Sequence, residues 1–114
     1  MVDIYFIKPT DGKYEKAINL GSVINITGGY SGDPCIAHDE SHIIFPSVRT
    51  AGANNGDLFI SFNEKGTWTE PVNMGKLINT QANEYGPFFS PASCRSDVSS
   101  RNWYFFIAIY SKYF

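Results

Sequence analysis

His38, Asp39, Glu40 and His42 form the densest cluster of chemically able side chains in this chain, within the run HDESH. Two histidines four residues apart share one face of a helix and can hold zinc there. A glutamate directly after the first then serves as general base toward a metal-bound water. HDESH departs from that pattern twice. Asp39 stands where the longer glutamate is needed, and the run falls between two strand-like segments, 34–39 and 42–49. Across a hairpin, positions i and i+4 need not converge on one ion. The expectation is a polar turn with two exposed histidines, and no metal, cofactor or catalytic residue is assigned.

Other groups give weaker signals. Asp39, Glu40, Glu70 and Glu84 could meet as an acid–base pair, but nothing in their spacing requires it. There is no Gly-x-Ser-x-Gly elbow, and neither Cys35 nor Cys94 has a CxxC partner or a local activating context. The two cysteines read as half-buried thiols; a bridge would need their Cα atoms within about 7 Å. INITGGYSGDP lacks the lysine and the spacing of a phosphate loop and reads as a connection between repeats. Asn25-Ile26-Thr27 fits a glycosylation acceptor. No binding residues are singled out.

These groups must be positioned by strands. Aromatic residues make up 16% of the 114 residues and charged residues only 18%, so the chain is neither disordered nor helix-rich in composition. A net charge of −2 with scattered Lys and Arg leaves no footprint for nucleic acid. The longest apolar run, WYFFIAIY, is well short of the ~20 residues of a spanning helix, so membrane insertion is not expected. The start MVDIYFIKP lacks the parts of a signal peptide.

Sliding the chain on itself by 54 positions superposes Asp3 on Asp57, Gly12 on Gly66, Asn19 on Asn73, Gly21 on Gly75, Ile24 on Ile78 and Asn25 on Asn79. Close replacements lie between them, such as Tyr5 for Phe59, Tyr14 for Trp68 and Leu20 for Met74. Within the complete copy, strands are expected at 34–39, 42–49, 57–62 and 68–74. Pro71 suits an outer strand that can spare an N–H. The pattern restarts at 85–90, and 103–110 can make a further strand after a longer loop. Four strand signals in a period near 50 mark a β-propeller blade.

The run GDLFISFNEKGTWTEPVNMGKLINTQANEYGPFFSP resembles the WD-repeat-like propeller repeats related to those of TolB. The matching residues are Asp57-Leu58-Phe59, Gly66, Trp68, Pro71, Asn73-Met74-Gly75, Ile78-Asn79-Thr80, Glu84 and Pro87. The likeness spans about residues 3–91; beyond it ASCRSDVSSRN departs from the family pattern, which leaves a native, truncated or frame-shifted tail open. SFNEKGTW is also similar to the Asp-box of sialidase-type propellers, with Asn63 and Lys65 out of pattern. In that family the box is a structural turn, and catalysis needs an arginine cluster, whereas Arg49, Arg95 and Arg101 are the only arginines.

The expected fold is all-β, of antiparallel propeller blades: a half blade at 1–33, a full blade at 34–80 and the start of another at 81–114. Trp68 is expected to plug the blade, with Gly75, Asn79 and Pro87 fixing the turns between blades. Closed propellers have ~4–8 blades, and repeat units rarely stand alone in fewer than about three. The chain is then part of a longer protein, or associates with itself through open blade edges, or is marginal. A piece of a longer protein is the expectation. The expected role is a non-catalytic scaffold that binds a protein or glycan partner, and the resemblance implies an extracytoplasmic bacterial setting, in the bacterial envelope. The alternative is the propeller portion of a larger enzyme, either a peptidase gating domain or a sialidase-like glycan hydrolase.

Overall fold

Residues 57–64 and 42–48 are both rich in β-branched and aromatic or other apolar residues, so both form strands, and these pair from His42 to Ser47. The computed structural model describes residues 2–49 and 56–87 and the backbone of 105–110, and no helix occurs among them. The chain is all-β. Its strands are β1 (Val2–Ile7), β2 (Pro9–Thr10), β3 (Lys13–Tyr14), β4 (Ile18–Asn19), β5 (Tyr30–Ser31), β6 (Cys35–Ile36), β7 (His42–Val48), β8 (Asp57–Glu64), β9 (Thr67–Trp68), β10 (Val72–Asn73) and β11 (Phe105–Tyr110). The main sheet curls through the order β10-β8-β7-β5-β1-β11.

Pairing is not purely antiparallel, which corrects the expectation from sequence. Val2 and Tyr30 meet in parallel, while β1 pairs antiparallel with both β4 and β11. The cause is the connection: after β4 the chain crosses over through 20–29 and re-enters alongside β1, and a crossover is what parallel neighbours require. Two expected strands are also shorter than the sequence suggests. The 34–39 strand is reduced to β6, and the same edge of β7 is taken up earlier by β5; Ser31 faces Ser47 and Cys35 faces Ile44, leaving one extra residue on that edge. The break lies beside Pro46, which has no N–H for the ladder. The outer 68–74 strand is likewise cut into β9 and β10 around Pro71.

The 54-residue repeat is present bond for bond. Tyr5 pairs with Asn19 and Phe59 with Asn73. Ile4 N–H donates to Asn25 Oδ1 and Asn25 Nδ2 donates back to the Ile4 carbonyl (2.7 and 2.8 Å). Asn79 makes the same pair of bonds to Leu58 (2.7 and 3.0 Å). Asn25 and Asn79 each donate to Asn19 and Asn73 Oδ1 at 2.8 Å, and those oxygens also accept from Gly21 and Gly75 N–H. Asp3 and Asp57 accept from Asn19 and Asn73 Nδ2. Gly21 and Gly75 carry φ of +91° and +82°, a left-handed turn that a side chain would strain. Two-residue turns repeat as well: Asp11-Gly12 and Lys65-Gly66 have φ > 0 at both positions, as type I′ hairpins require.

The core lies at the seam between repeats. Ile4 and Ile24 from the first unit pack on Ile43 and Phe45 of the second, all four buried, with Leu20, Phe59 and Trp68 against them. Trp68 is half-buried at this seam, so it closes one side of the core without plugging it fully. Replacing Asn25 by Ala strands the N–H of fully buried Ile4 and leaves its carbonyl with the Leu20 N–H alone, and an unpaired buried group costs ~1–3 kcal/mol. Urea denaturation is expected to show a loss of about 3 kcal/mol for Asn25→Ala, and about 2 kcal/mol for Asn79→Ala beside half-buried Leu58. A loss under about 1 kcal/mol at Asn25 would show that the amide does not hold the unit together.

Candidate functional site

HDESH folds as a tight turn between β6 and β7. Ser41 N–H donates to Asp39 Oδ1 at 3.0 Å, Ala37 N–H donates to the His42 carbonyl, and Glu40 takes φ +59° at the corner. His38 is exposed as expected, but His42 is half-buried: its Nδ1 lies 2.8 Å from Ser41 Oγ and its ring is 6.0 Å from that of Phe62. Among the described residues, no three His, Cys, Asp or Glu side chains gather where one ion could be held.

The four carboxylates go to separate duties. Asp39 accepts from Ser41 within its turn, and Glu40 stands on the wall of a groove between the repeats. Glu70 approaches Arg49 at 3.8 Å. Glu84 Oε1 accepts from both the Thr80 hydroxyl and the Thr80 N–H, while its Oε2 is shielded from solvent with no donor among the described residues. Hydrogen bonds from Ser41 hold Asp39 below its ordinary 3.8, and bonds from Thr80 hold Glu84 below its ordinary 4.5. Asn25 is buried with its amide engaged, so the Asn25-Ile26-Thr27 triplet does not present an acceptor in the folded chain. Cys35 is a half-buried thiol; Cys94, Arg95 and Arg101 lie outside the described residues.

Arg49 turns out to be structural. Its guanidinium donates to the Val23 and Ile24 carbonyls at 2.7 and 2.9 Å and sits 5.7 Å from the centre of the Phe59 ring. Two backbone acceptors, a ring face and Glu70 together fix it across the seam between repeats. Burial pushes its pKa down, and Glu70 works against that shift. In sequence only its place at the end of an expected strand, 42–49, hinted at this.

Two concavities are lined by described residues. One is a groove of about 430 Å³ between the repeats, floored by Phe6, Ile18, Leu20, Ile36 and Trp68, with Lys8, Glu15 and Glu40 along its margins. Phe6, Ile18 and Leu20 come from β1, β4 and the residue after β4's end, and Ile36 and Trp68 from β6 and β9, so residues more than sixty positions apart build it, which sequence spacing could not reveal. The other is a hollow of about 470 Å³ lined by Tyr30, Asp33, Pro46, Val48, Glu84 and Tyr85 among others.

No protein-family model, no curated protein and no solved structure matches the chain.

The lowered Asp39 and Glu84 values set the sign of an acid response. A carboxylate whose pKa is depressed by folding stabilises the fold when ionised; that contribution is whole above pH 4.5 and is lost as pH falls through 3.8 and below. Asp39→Asn and Glu84→Gln are therefore expected to flatten the fall in urea midpoint between pH 5 and pH 3 relative to the parent chain. Superimposable pH profiles would show that neither bond matters to folding.

Proposed function

We propose that this chain is a non-catalytic scaffold built of propeller-type blades, and that it binds a segment of a protein partner in the groove between its repeats. The blade reading is supported by the antiparallel path β5/β6–β7–β8–β10, four strands deep from the first edge to the outer one, and by its recurrence in β1 and β4. The binding reading rests on one observation. The groove joins an apolar floor from both units to a margin that holds two carboxylates and one ammonium. Such a floor suits a branched or aromatic side chain better than a sugar, whose hydroxyls need a denser set of polar partners. Glu15 and Glu40 then favour a basic residue next to it.

Selection of a random peptide display library against the immobilised chain tests this. Enriched sequences are expected to carry an aromatic or branched residue beside lysine or arginine. Ile18 lines the groove yet is 49% exposed and outside the buried cluster, so Ile18→Glu leaves the core intact. That variant is expected to weaken the selected peptides about tenfold or more, roughly 1.4 kcal/mol. No enrichment, or peptides that ignore Ile18→Glu, would refute the groove as the site.

A further inference from the structure

The two repeats share a hydrogen-bonding frame but not a burial pattern. Ile24 is 0% exposed, covered by Ile43 and Phe45 of the following unit. Ile78 stands in the same loop, with its N–H on the Gly75 carbonyl as that of Ile24 is on Gly21, and is 46% exposed. Its neighbour Leu77 is 100% exposed. Residues directly opposed across a ladder share a face. Ile43, Phe45, Phe59 and Ser61 therefore look toward the first unit, while Ile44, Pro46, Leu58 and Ile60 look the other way. The Ile78 loop, clamped to Leu58 by Asn79, closes that second face as the Ile24 loop closes the first seam. This second seam is only partly closed: Pro46 is fully buried and Ile44, Leu58 and Ile60 are half-buried, while Leu77 and Ile78 stand open.

The register of β11 shows which element belongs there. On β1, Ile107 opposes Tyr5 and Ile109 opposes Asp3. On β8, Phe45 opposes Phe59 and Ser47 opposes Asp57, the 54-residue counterparts of Tyr5 and Asp3. Thus β11 is the second strand of a unit whose third and fourth strands are β1 and β4. The first strand of that same unit begins elsewhere. Glu84 N–H donates to the Gly56 carbonyl, repeating at β8 the approach of Tyr30 to Val2 at β1. It starts beside the hollow lined by Pro46, Val48, Glu84 and Tyr85, on that second face. In the single chain the two parts of that unit stand apart, its first strand beginning at β8 and its second pairing with β1, with β7 and β5 between them in the sheet. While β11 pairs with its own β1, it lies on the first-unit side of β7 and β8 and leaves Leu58, Leu77 and Ile78 without their strand.

We propose that β11 is exchanged between copies of this chain. In the exchanged form β11 stays with its own third unit, over Leu58 and Ile78, and gives its free edge to β1 of a second copy. The β1–β11 register is kept; only the chain that supplies the strand changes. Residues 88–104 join Pro87 to Phe105, and seventeen residues reach up to roughly 55 Å, enough for either arrangement. The contact is heterologous, so copies follow head to tail and close when the rotation allows. Each copy brings two units' worth of strands, and about two to four copies give the ~4–8 units of a closed ring. The inference rests on the repeat geometry and is independent of any ligand in the groove.

The test is a disulfide placed across the register. Tyr5→Cys with Ile107→Cys, in a chain with Cys35→Ser and Cys94→Ser, brings two thiols to directly opposed strand positions, where Cα atoms lie ~4.5–5.5 Å apart. Oxidation followed by non-reducing electrophoresis is expected to give covalent multimers, two to four times 12.7 kDa or a ladder of such steps. Either single-cysteine chain should fail to form them. Adding Ile78→Asp, at an exposed position of the single chain, should shift the product to the intrachain disulfide. Light scattering on the unmodified 114-residue chain should give the same multiplicity. An intrachain bond with monomer mass overturns the proposal, as does the absence of any disulfide, since the register would then be wrong. Multimers indifferent to Ile78→Asp also overturn it, because exchange would then not be filling the second seam.

Discussion

The structure depends on one side chain used twice: an asparagine amide that completes the backbone of a strand it does not belong to. Asn25 gives and takes a hydrogen bond at Ile4, and Asn79 does the same at Leu58. Each amide also donates to a second asparagine, whose oxygen holds the left-handed glycine that starts the loop. A strand edge that would otherwise end in unpaired groups is thereby closed by its own downstream loop. That closure fixes where Ile24 and Ile78 stand, and those two positions decide what the units can pack against. Buried polar groups demand partners, and here the demand sets the architecture.

Because each unit is thin, its apolar side chains are buried by the neighbouring unit. Ile4 and Ile24 lack cover without Ile43 and Phe45, and Arg49 ties the two units by reaching the carbonyls of the first from the end of β7. The groove follows from the same arrangement: where the outer strands splay apart, Phe6 and Ile18 face Ile36 and Trp68 across open space. Cohesion and the concave surface are two parts of one seam.

Much of this was legible in sequence through identity at a fixed offset. Asp3, Asn19, Gly21 and Asn25 stood out because their copies are unchanged, and each proves to be a hydrogen-bonding member of the clamp. What they do was less legible. Asn25 reads equally well as a glycosylation acceptor, since a triplet does not reveal that its amide is consumed by a strand twenty residues away. Arg49 reads as a member of a missing arginine cluster, since backbone acceptors leave no mark in side-chain spacing. The split strands escaped too, because the interruption depends on what Pro46 fails to donate. The groove escaped entirely, being made of residues that are neighbours only after the units meet. The all-β class was plain from composition; the parallel contact of Val2 with Tyr30 was not, because it arises from a crossover.

A duplicated clamp also bears on how the chain reaches its fold. Each clamp closes over about twenty residues, so both copies can form early and locally, before the longer-range seam is made. Two modules with nearly the same polar frame can then compete for the face of Ile43 and Phe45. Docking the later module there is a kinetic trap of the kind that tandem copies create. The tie is broken by differences the repeat tolerates: Val23 against Leu77 at the tip of the loop, and Tyr14 against Trp68 at the hairpin. Sequence divergence between the copies is thus a sorting signal, and making the two units more alike would slow the search for the native pairing.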